Sequence, residues 1–152
     1  MYRRQVLLCG AAVAVAGCAA APQETTSRTN TSGGSANVSD TQEYIQRFGE
    51  ALGGLDIEIR RLEEQLPTVE LAYRTQQQGY QAVSDEIGRI AGFYFREVDN
   101  GWSATRLNVE TLVGGGETLT WYARGRWYQQ YANDELTAEE LTLQVLETIT
   151  RQ

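Results

Sequence analysis

The stretch LDIEIRRLEEQLPTVELAYR, residues 55–74, decides the fold because its hydrophobic period is two. Apolar residues alternate with polar ones on both sides of a break near Pro67: Leu55, Ile57 and Ile59 before it, and Val69, Leu71 and Tyr73 after it. This period is typical of a β-strand with one buried face and one wet face. The stretch therefore predicts two half-buried strands, and a proline at the start of the second is compatible with that assignment.

On both sides of this stretch the hydrophobic period changes to that of a helix. Apolar residues recur at spacings of three and four, at Tyr44, Ile45, Phe48, Ala51 and Leu52, and again at Val83, Ile87, Ile90, Ala91, Tyr94 and Val98. Glycines 53 and 54 end the first run, and residues 99–101 (Asp-Asn-Gly) end the second. The spacing predicts amphipathic helices beginning near residue 40 and near Gly79.

The C-terminal part repeats the strand pattern and adds a helix. Residues 106–111 and 118–123 alternate in the same way, and three glycines at 114–116 supply a turn. Thr137 followed by Glu140 has the spacing of a capping box and opens a last helix. The order is α-β-β-α-β-β-α. It predicts an α+β fold, with a four-stranded, largely antiparallel sheet and helices packed on one face.

The N-terminus has the pattern of a secretory signal peptide over residues 1–17. Arg3 and Arg4 precede an apolar run that is too short for a helix to cross about 30 Å of hydrocarbon. The residues that follow, Val-Ala-Gly-Cys at 15–18, resemble the lipobox of lipoproteins. We expect cleavage before Cys18 and a lipid on its thiol. An uncleaved anchor with an incidental cysteine is the alternative, and the arginine pair leaves general secretion and twin-arginine export both open.

Residues 18–39 are rich in Ser, Thr, Gly and Asn and contain almost nothing apolar. Such a segment cannot bury enough surface to offset its ordering entropy, so we expect a disordered tether. Asn30 and Asn37 each begin an Asn-x-Ser sequon and are possible glycosylation sites. Residues 40–152 are then predicted to form a single α+β domain.

Composition narrows the function classes. The chain has 13 arginines, no lysine, no histidine and 20 acidic residues, so 13 − 20 gives a net charge of −7. Loss of Arg3 and Arg4 with the signal would make it 11 − 20, or −9. This acidic balance argues against a nucleic-acid partner. Without histidine, a free thiol or lysine in the mature domain, an enzyme is unlikely, and no acidic spacing matches a calcium loop. We expect no cofactor and no metal.

The most conspicuous local feature is an aromatic cluster interleaved with arginines. Its members are Trp127, Tyr128, Tyr131, Arg124 and Arg126, with Trp121 and Tyr122 just before them. One interpretation is a ligand or partner surface that uses stacking and cation–π contacts. The other is packing, with Trp121 in the core and the remaining rings at a strand-to-helix corner.

Four stretches carry a resemblance to a known family: residues 85–92, 106–110, 120–122 and 135–141. They are similar to a small domain of unknown function in lipoproteins of halophilic archaea, and the resemblance covers roughly Thr41 to Ile149. It implies a fold and a location but no activity. The absence of lysine and the excess of glutamate fit a protein hydrated in high salt, although GC-rich bacteria also prefer arginine.

We therefore expect a lipid-anchored domain on the cell membrane, facing outside the cytoplasm. We expect its partners to be the membrane, through the lipid, and another envelope protein. The leading hypothesis for its role is a non-catalytic binding or interaction module. The alternative is a chaperone-like or structural envelope module that dimerises through sheet or helix faces, which rests on fold-level analogy.

Overall fold

A computed structural model describes residues 38–152, which form four helices and five strands. The elements in chain order are α1 (Val38–Gly53), β1 (Ile57–Gln65), β2 (Thr68–Thr75), α2 (Tyr80–Asp99), β3 (Arg106–Leu112), β4 (Thr118–Arg124), α3 (Gly125–Ala132), α4 (Ala138–Leu146) and β5 (Thr150–Arg151). The fold is α+β, as the sequence predicts, but the predicted order α-β-β-α-β-β-α lacks two elements that the structure has, α3 and β5. None of these helices is long and apolar enough to cross a membrane.

The sheet differs from the prediction in strand number and in direction. It has five strands in the order β1-β2-β3-β4-β5. Neighbouring strands are antiparallel except β2 and β3, which are parallel. The parallel pair arises because α2 returns the chain to the end of the sheet at which β2 began. The fifth strand is only two residues long, so it has no alternation by which sequence analysis could detect it.

The alternating residues of the central strands line up in rows across the sheet. One row is Leu71, Val109 and Trp121, and the next is Val69, Leu107 and Ala123. All six side chains are buried and join residues of α1, α2 and α4 in a single core. The helices therefore cover one face of the sheet, since apolar side chains of a strand point to that face at every second position.

The N-terminal edge of the sheet is protected from pairing with another strand. β1 carries charged residues along most of its length, and its register with β2 shifts at Arg60. Ile57 before the bulge and Leu62 after it both pack against the core, whereas Ile59 at the bulge is 38% exposed. Charges and bulges on an edge strand oppose edge-to-edge association.

Helix α1 is held on the domain by polar and aromatic contacts with the end of α2. Arg47 donates from Nε to a carboxylate oxygen of Glu97 at 2.9 Å, and Glu97 is only 1% exposed. The Tyr44 hydroxyl donates to the Asn100 carbonyl oxygen at 2.9 Å, and its ring stacks on Trp102. Gly101 has a φ of 108°, and a Cβ there would lie 3.0 Å from the Tyr44 hydroxyl, so the turn requires glycine.

A polar group lies within the core beneath the start of α2. Glu86 is 5% exposed, and both its Oε1 and the buried hydroxyl of Tyr73 have no hydrogen-bond partner among the described residues. Burial raises the pKa of this carboxyl. Burial also raises the pKa of the Tyr73 phenol far above its ordinary value. Both groups are therefore held in their neutral forms more firmly than in water.

Candidate functional site

The face of the sheet that the helices leave uncovered, here called the polar face, consists of the alternate residues of β1 to β4. In β2, β3 and β4 these are Glu70, Ala72, Arg74, Arg106, Asn108, Glu110, Leu112, Thr118, Thr120, Tyr122 and Arg124. None of these residues is buried. Polar side chains in this position are available to a ligand or a partner, whereas those of the opposite face are used in the core.

Two arginines converge on one ring at one end of the polar face, where β3 begins and β4 ends. Arg106 and Arg124 are directly opposite each other in the β3–β4 register. Their guanidinium carbons lie 4.1 and 5.2 Å from the centroid of the Tyr122 ring. The negative face of the ring attracts each cation, which compensates for placing two like charges opposite each other.

A hydrogen-bonded chain orients Arg106 along the same face. The Arg106 Nε donates to Asn108 Oδ1 at 2.6 Å, and Asn108 Nδ2 donates to Glu70 Oε1 at 2.8 Å. Glu70, Asn108 and Tyr122 lie in one row across β2, β3 and β4. The amide thus separates the guanidinium from the carboxylate, so Arg106 is positioned by Glu70 without being neutralised by direct contact.

These side chains border a groove of about 350 Å³ on the polar face. Arg61 from β1 and Thr148, which follows α4, complete its sides. The Thr148 hydroxyl accepts from the Tyr122 backbone N–H at 3.0 Å, so the end of α4 is tied to β4 beside the groove. Hydrogen-bond donors, acceptors and an aromatic ring therefore all border one concave surface.

The five residues predicted as a ligand or partner surface do not form one surface. Arg124 and Trp127 lie with Tyr122, because the Trp127 ring centroid is 5.8 Å from that of Tyr122 and 6.0 Å from the Arg124 guanidinium carbon. Arg126 is exposed at the start of α3, next to a second cavity. Arg124, Arg126 and Trp127 thus lie at or near the end of the polar face at which Arg106 and Arg124 meet.

The other two predicted residues lie on the helix side of α3. The Tyr128 ring stacks on Phe95 of α2 at 6.0 Å and contacts Tyr131 at 5.9 Å. Burial raises the pKa of the Tyr128 hydroxyl, and its hydrogen bond to Asp99 acts in the same direction. Successive aromatic residues on a short helix point in different directions, which separates this pair from Trp127.

Sequence reasoning did not identify Arg106, Asn108 and Glu70 as site residues. They lie in strands whose alternation explained them as the wet side of a half-buried sheet. The one usable signal was Asn108 between two charged residues, Arg106 and Glu110, at strand spacing. Their convergence depends on the β2–β3 pairing, which joins segments 38 residues apart.

Several predictions concern residues outside the described part of the chain. They are the signal peptide at 1–17, lipidation of Cys18, glycosylation of Asn30 and Asn37, and the tether up to residue 37. Helix α1 begins at Val38, so residues 38 and 39 of the predicted tether lie in its first turn. Within residues 38–152, no three acidic side chains lie close enough together to hold a metal ion.

The comparison with protein families identifies the domain. Residues 39–152 match a family described as a domain of unknown function, DUF8159. The chain belongs to this family. The match spans α1 to β5, so the polar face and its arginines are part of the DUF8159 domain. No curated protein and no solved structure matches the chain.

Proposed function

We propose that this DUF8159 protein is a non-catalytic binding module of the cell envelope and that the polar face is its binding surface. The observation that supports this is the orientation of Arg106, which stacks on Tyr122 and is held through Asn108. Such a guanidinium can offer its remaining N–H groups to a ligand without first losing side-chain freedom. Binding by a prearranged group costs less entropy than binding by a free one.

The side chains of the groove also suit recognition. Arg61 and Arg106 supply guanidinium N–H donors, Asn108 supplies an amide donor and acceptor, and Glu70 and Glu110 supply carboxylate oxygens. The groove is thus equipped for recognition by hydrogen bonds, charge and stacking.

We further propose that the domain is a lipoprotein of the kind found in halophilic archaea, tethered outside the cytoplasm by a lipid on Cys18. Three features of the sequence support this location: the lipobox-like residues 15–18, the short apolar run before them and the Ser/Thr-rich residues after them. A net charge of −9 for the form lacking Arg3 and Arg4, from 11 − 20, would be repelled by an anionic bilayer. The lipid would then supply the attachment.

A capture experiment tests the binding function. The full chain is used as bait on solubilised membranes at native salt, alongside Arg106→Ala and Arg89→Ala. Arg89 is exposed on α2, on the helix side, and its replacement makes the same change in charge. We expect a stoichiometric partner that is retained by the wild type and by Arg89→Ala and lost by Arg106→Ala. Equal recovery by all three chains would exclude the polar face as the binding surface.

A separate experiment tests the attachment to the membrane through a lipid on Cys18. Replacing Cys18 by serine should release the protein from carbonate-washed membranes and remove the mass of the lipid. If Cys18→Ser still fractionates with membranes at an unchanged mass, the lipid anchor is wrong. The binding function could survive that result, because the capture experiment depends on Arg106 and not on Cys18.

A second candidate is the chaperone-like or structural module that dimerises. Exposed apolar side chains on the helix side favour it: Leu143 is 55% exposed, and Tyr80 and Tyr131 are 68% and 39% exposed. The charged, bulged β1 opposes dimerisation through the sheet edge, so a dimer would use the helices. Sedimentation of the wild type and of Leu143→Glu at several concentrations tests this. A monomer at every concentration would rule out the dimeric module.

A further inference from the structure

A second cavity lies where β3 begins and β4 ends, beside the start of α3. It has a volume of about 550 Å³, and three arginines line it: Arg106, Arg124 and Arg126. The other lining residues, from Val98 and residues 102–105 to Gly125 and Gln129, include no acidic side chain. We call this the arginine cavity. Arg106 also borders the groove on the polar face, so the two concavities are adjacent.

The arginine cavity is positively charged, although the domain as a whole is acidic. Residues 38–152 contain 10 arginines and 19 acidic residues, so their net charge is 10 − 19, or −9. In the same range, the ion pairs involve only Arg47, Arg96 and Arg151. An acidic chain could readily place a carboxylate beside each arginine. Three arginines nevertheless share one cavity without a carboxylate on its walls.

The arrangement also leaves a hydrogen-bond donor unsatisfied. The Nε of Arg124 is inaccessible to solvent and has no hydrogen-bond partner. A buried N–H without an acceptor costs free energy, more so when the donor is charged. Helix α3 starts at the same place with no side chain capping its first turn. The buried Nε itself cannot reach a ligand, but the start of α3 adds the positive end of a helix to the region that holds the three arginines.

We propose that the arginine cavity binds an organic anion through its carboxylate, sulfate or phosphate group. The inference rests on the proposed binding function and adds the chemistry of the ligand. Arg126 and Arg124 supply charge-assisted hydrogen bonds to the oxyanion, since the guanidinium fork matches such groups. The neutral polar side chains of Ser103 and Gln129 lie at the same cavity and suit hydroxyl groups.

The size of the cavity favours an organic ligand over a bare inorganic ion. Pockets that hold small organic molecules have volumes of about 300–1,000 Å³, and the arginine cavity falls in that range. Val98 is partly exposed at the wall, whereas Trp102 and Ala104 are only 3% and 2% exposed. The oxyanion would lie against the arginines, and the rest of the molecule would contact Val98 and the exposed Ser103 and Gln129.

The charge of the domain favours an anion in solution over a lipid headgroup. A body with a net charge of −9 is repelled by an anionic membrane surface, and this repulsion is strongest at low salt. A small anion in the cavity interacts with the arginines by direct contact, within a screening length that is about 8 Å at physiological salt and about 3 Å at 1 M. The soluble source is therefore the one we assign.

Calorimetric titration of the full chain in detergent tests the proposal. The probes are sulfate, phosphate and glucuronate, with glucose as the neutral control. The chains are the wild type, Arg126→Ala and Arg89→Ala. Arg126 is exposed, so its removal should leave the fold intact, and Arg89→Ala controls for net charge. We expect saturable 1:1 binding of at least one anion, no binding of glucose, and affinity weakened by about tenfold or more only in Arg126→Ala.

Two results would overturn the inference: no saturable binding of any of the three anions, or equal affinities in the wild type and Arg126→Ala. A separate measurement tests whether the anion is a lipid headgroup: flotation of the Cys18→Ser chain with phosphatidylglycerol and with phosphatidylcholine vesicles. Flotation with phosphatidylglycerol alone, lost in Arg126→Ala, would replace the soluble anion by a headgroup. If calorimetry fails while Arg106-dependent capture succeeds, the anion site falls and the binding function stands.

Discussion

Arg106 and Arg124 oppose each other across β3 and β4 while both guanidinium groups lie against the ring of Tyr122. Like charges directly opposite on neighbouring strands destabilise a sheet, and a ring that attracts both cations offsets that effect. Among the described residues, no carboxylate lies between the two guanidinium groups, so the Tyr122 ring is what offsets their repulsion. Tyr122 therefore connects the stability of the sheet with the electrostatics of the polar face.

The ring can be removed to test this role. We expect Tyr122→Leu to lower the free energy of unfolding by about 1–2 kcal/mol at low salt, because both cation–π contacts are lost. The deficit should shrink near 1 M salt, where the repulsion between the arginines is screened. Urea denaturation at the two salt concentrations measures it. Tyr80→Leu is the matched control, because Tyr80 is 68% exposed. A loss of stability in Tyr122→Leu that is the same at both salt concentrations would contradict the explanation.

The buried carboxylate of Glu97 makes a second prediction. Its oxygens bind Arg47 at 2.9 Å and Arg96 at 3.4 Å, and the hydrogen bond with Glu97 raises the pKa of Arg47. Arg47→Ala leaves a buried charge with only its longer contact, so the denaturation midpoint should fall. The double variant Arg47→Ala, Glu97→Gln should be more stable than Arg47→Ala, because removing the charge is better than leaving it unpaired. A double variant less stable than the single would contradict this account.

Glu86 predicts a pH dependence of stability. Because burial raises the pKa of its carboxyl, the folded protein holds the proton more tightly than the unfolded chain does. Its contribution to stability is complete below the unfolded pKa and is lost as the pH rises through the folded pKa. We expect Glu86→Gln to be more stable than the wild type at about pH 7 and to lose most of that advantage near pH 4. Urea midpoints across this range measure it.

The control for that experiment is Glu139→Gln, which removes an exposed carboxylate from the first turn of α4. It should not reproduce the gain at neutral pH, since its charge is solvated. If Glu86→Gln and the wild type keep a constant difference at every pH, then the Glu86 carboxyl does not titrate between the two states in this range.

The capping box of α4 gives a prediction about local stability. The Thr137 hydroxyl accepts from the Glu140 backbone N–H at 3.2 Å, and Glu140 accepts from the Thr137 backbone N–H at 2.8 Å. The Thr137 hydroxyl also donates to the Glu140 carboxylate at 3.0 Å, and the two bonds that Thr137 donates to this carboxylate lower the pKa of Glu140. Thr137→Ala should cost about 1 kcal/mol, and Thr137→Ser should restore most of it. Thermal denaturation measures both, and equal melting temperatures for Ala and Ser would contradict the role of the hydroxyl.

Much of the fold could be predicted from periodicity alone. The alternation of residues 106–111 and 118–123 was enough to predict β3 and β4, and the stripe from Val83 to Val98 predicted α2. The spacing of Thr137 and Glu140 predicted a cap that the structure confirms. These features depend on neighbours within one element, so they are present in the local sequence.

The candidate site could be predicted from periodicity and composition only in part. The aromatic and arginine-rich segment at 121–131 contributes residues to both concave surfaces, and Arg124, Arg126 and Trp127 lie at or near them. Tyr128 and Tyr131 pack instead on the helix side, against Phe95. The composition of a segment indicates which chemical groups are present, but the direction of each side chain depends on where the helix is docked.

The sequence by itself determined the α+β class, the one-sided sheet and the concentration of arginine near residue 125, because each is a property of consecutive residues. Tertiary structure alone decided that β2 and β3 are parallel neighbours, that Glu70 reaches Arg106 through Asn108, and that two arginines meet on Tyr122. The physical reason is that strand partnership is selected by burial of the whole apolar face. No single strand carries the identity of its neighbour in its own pattern.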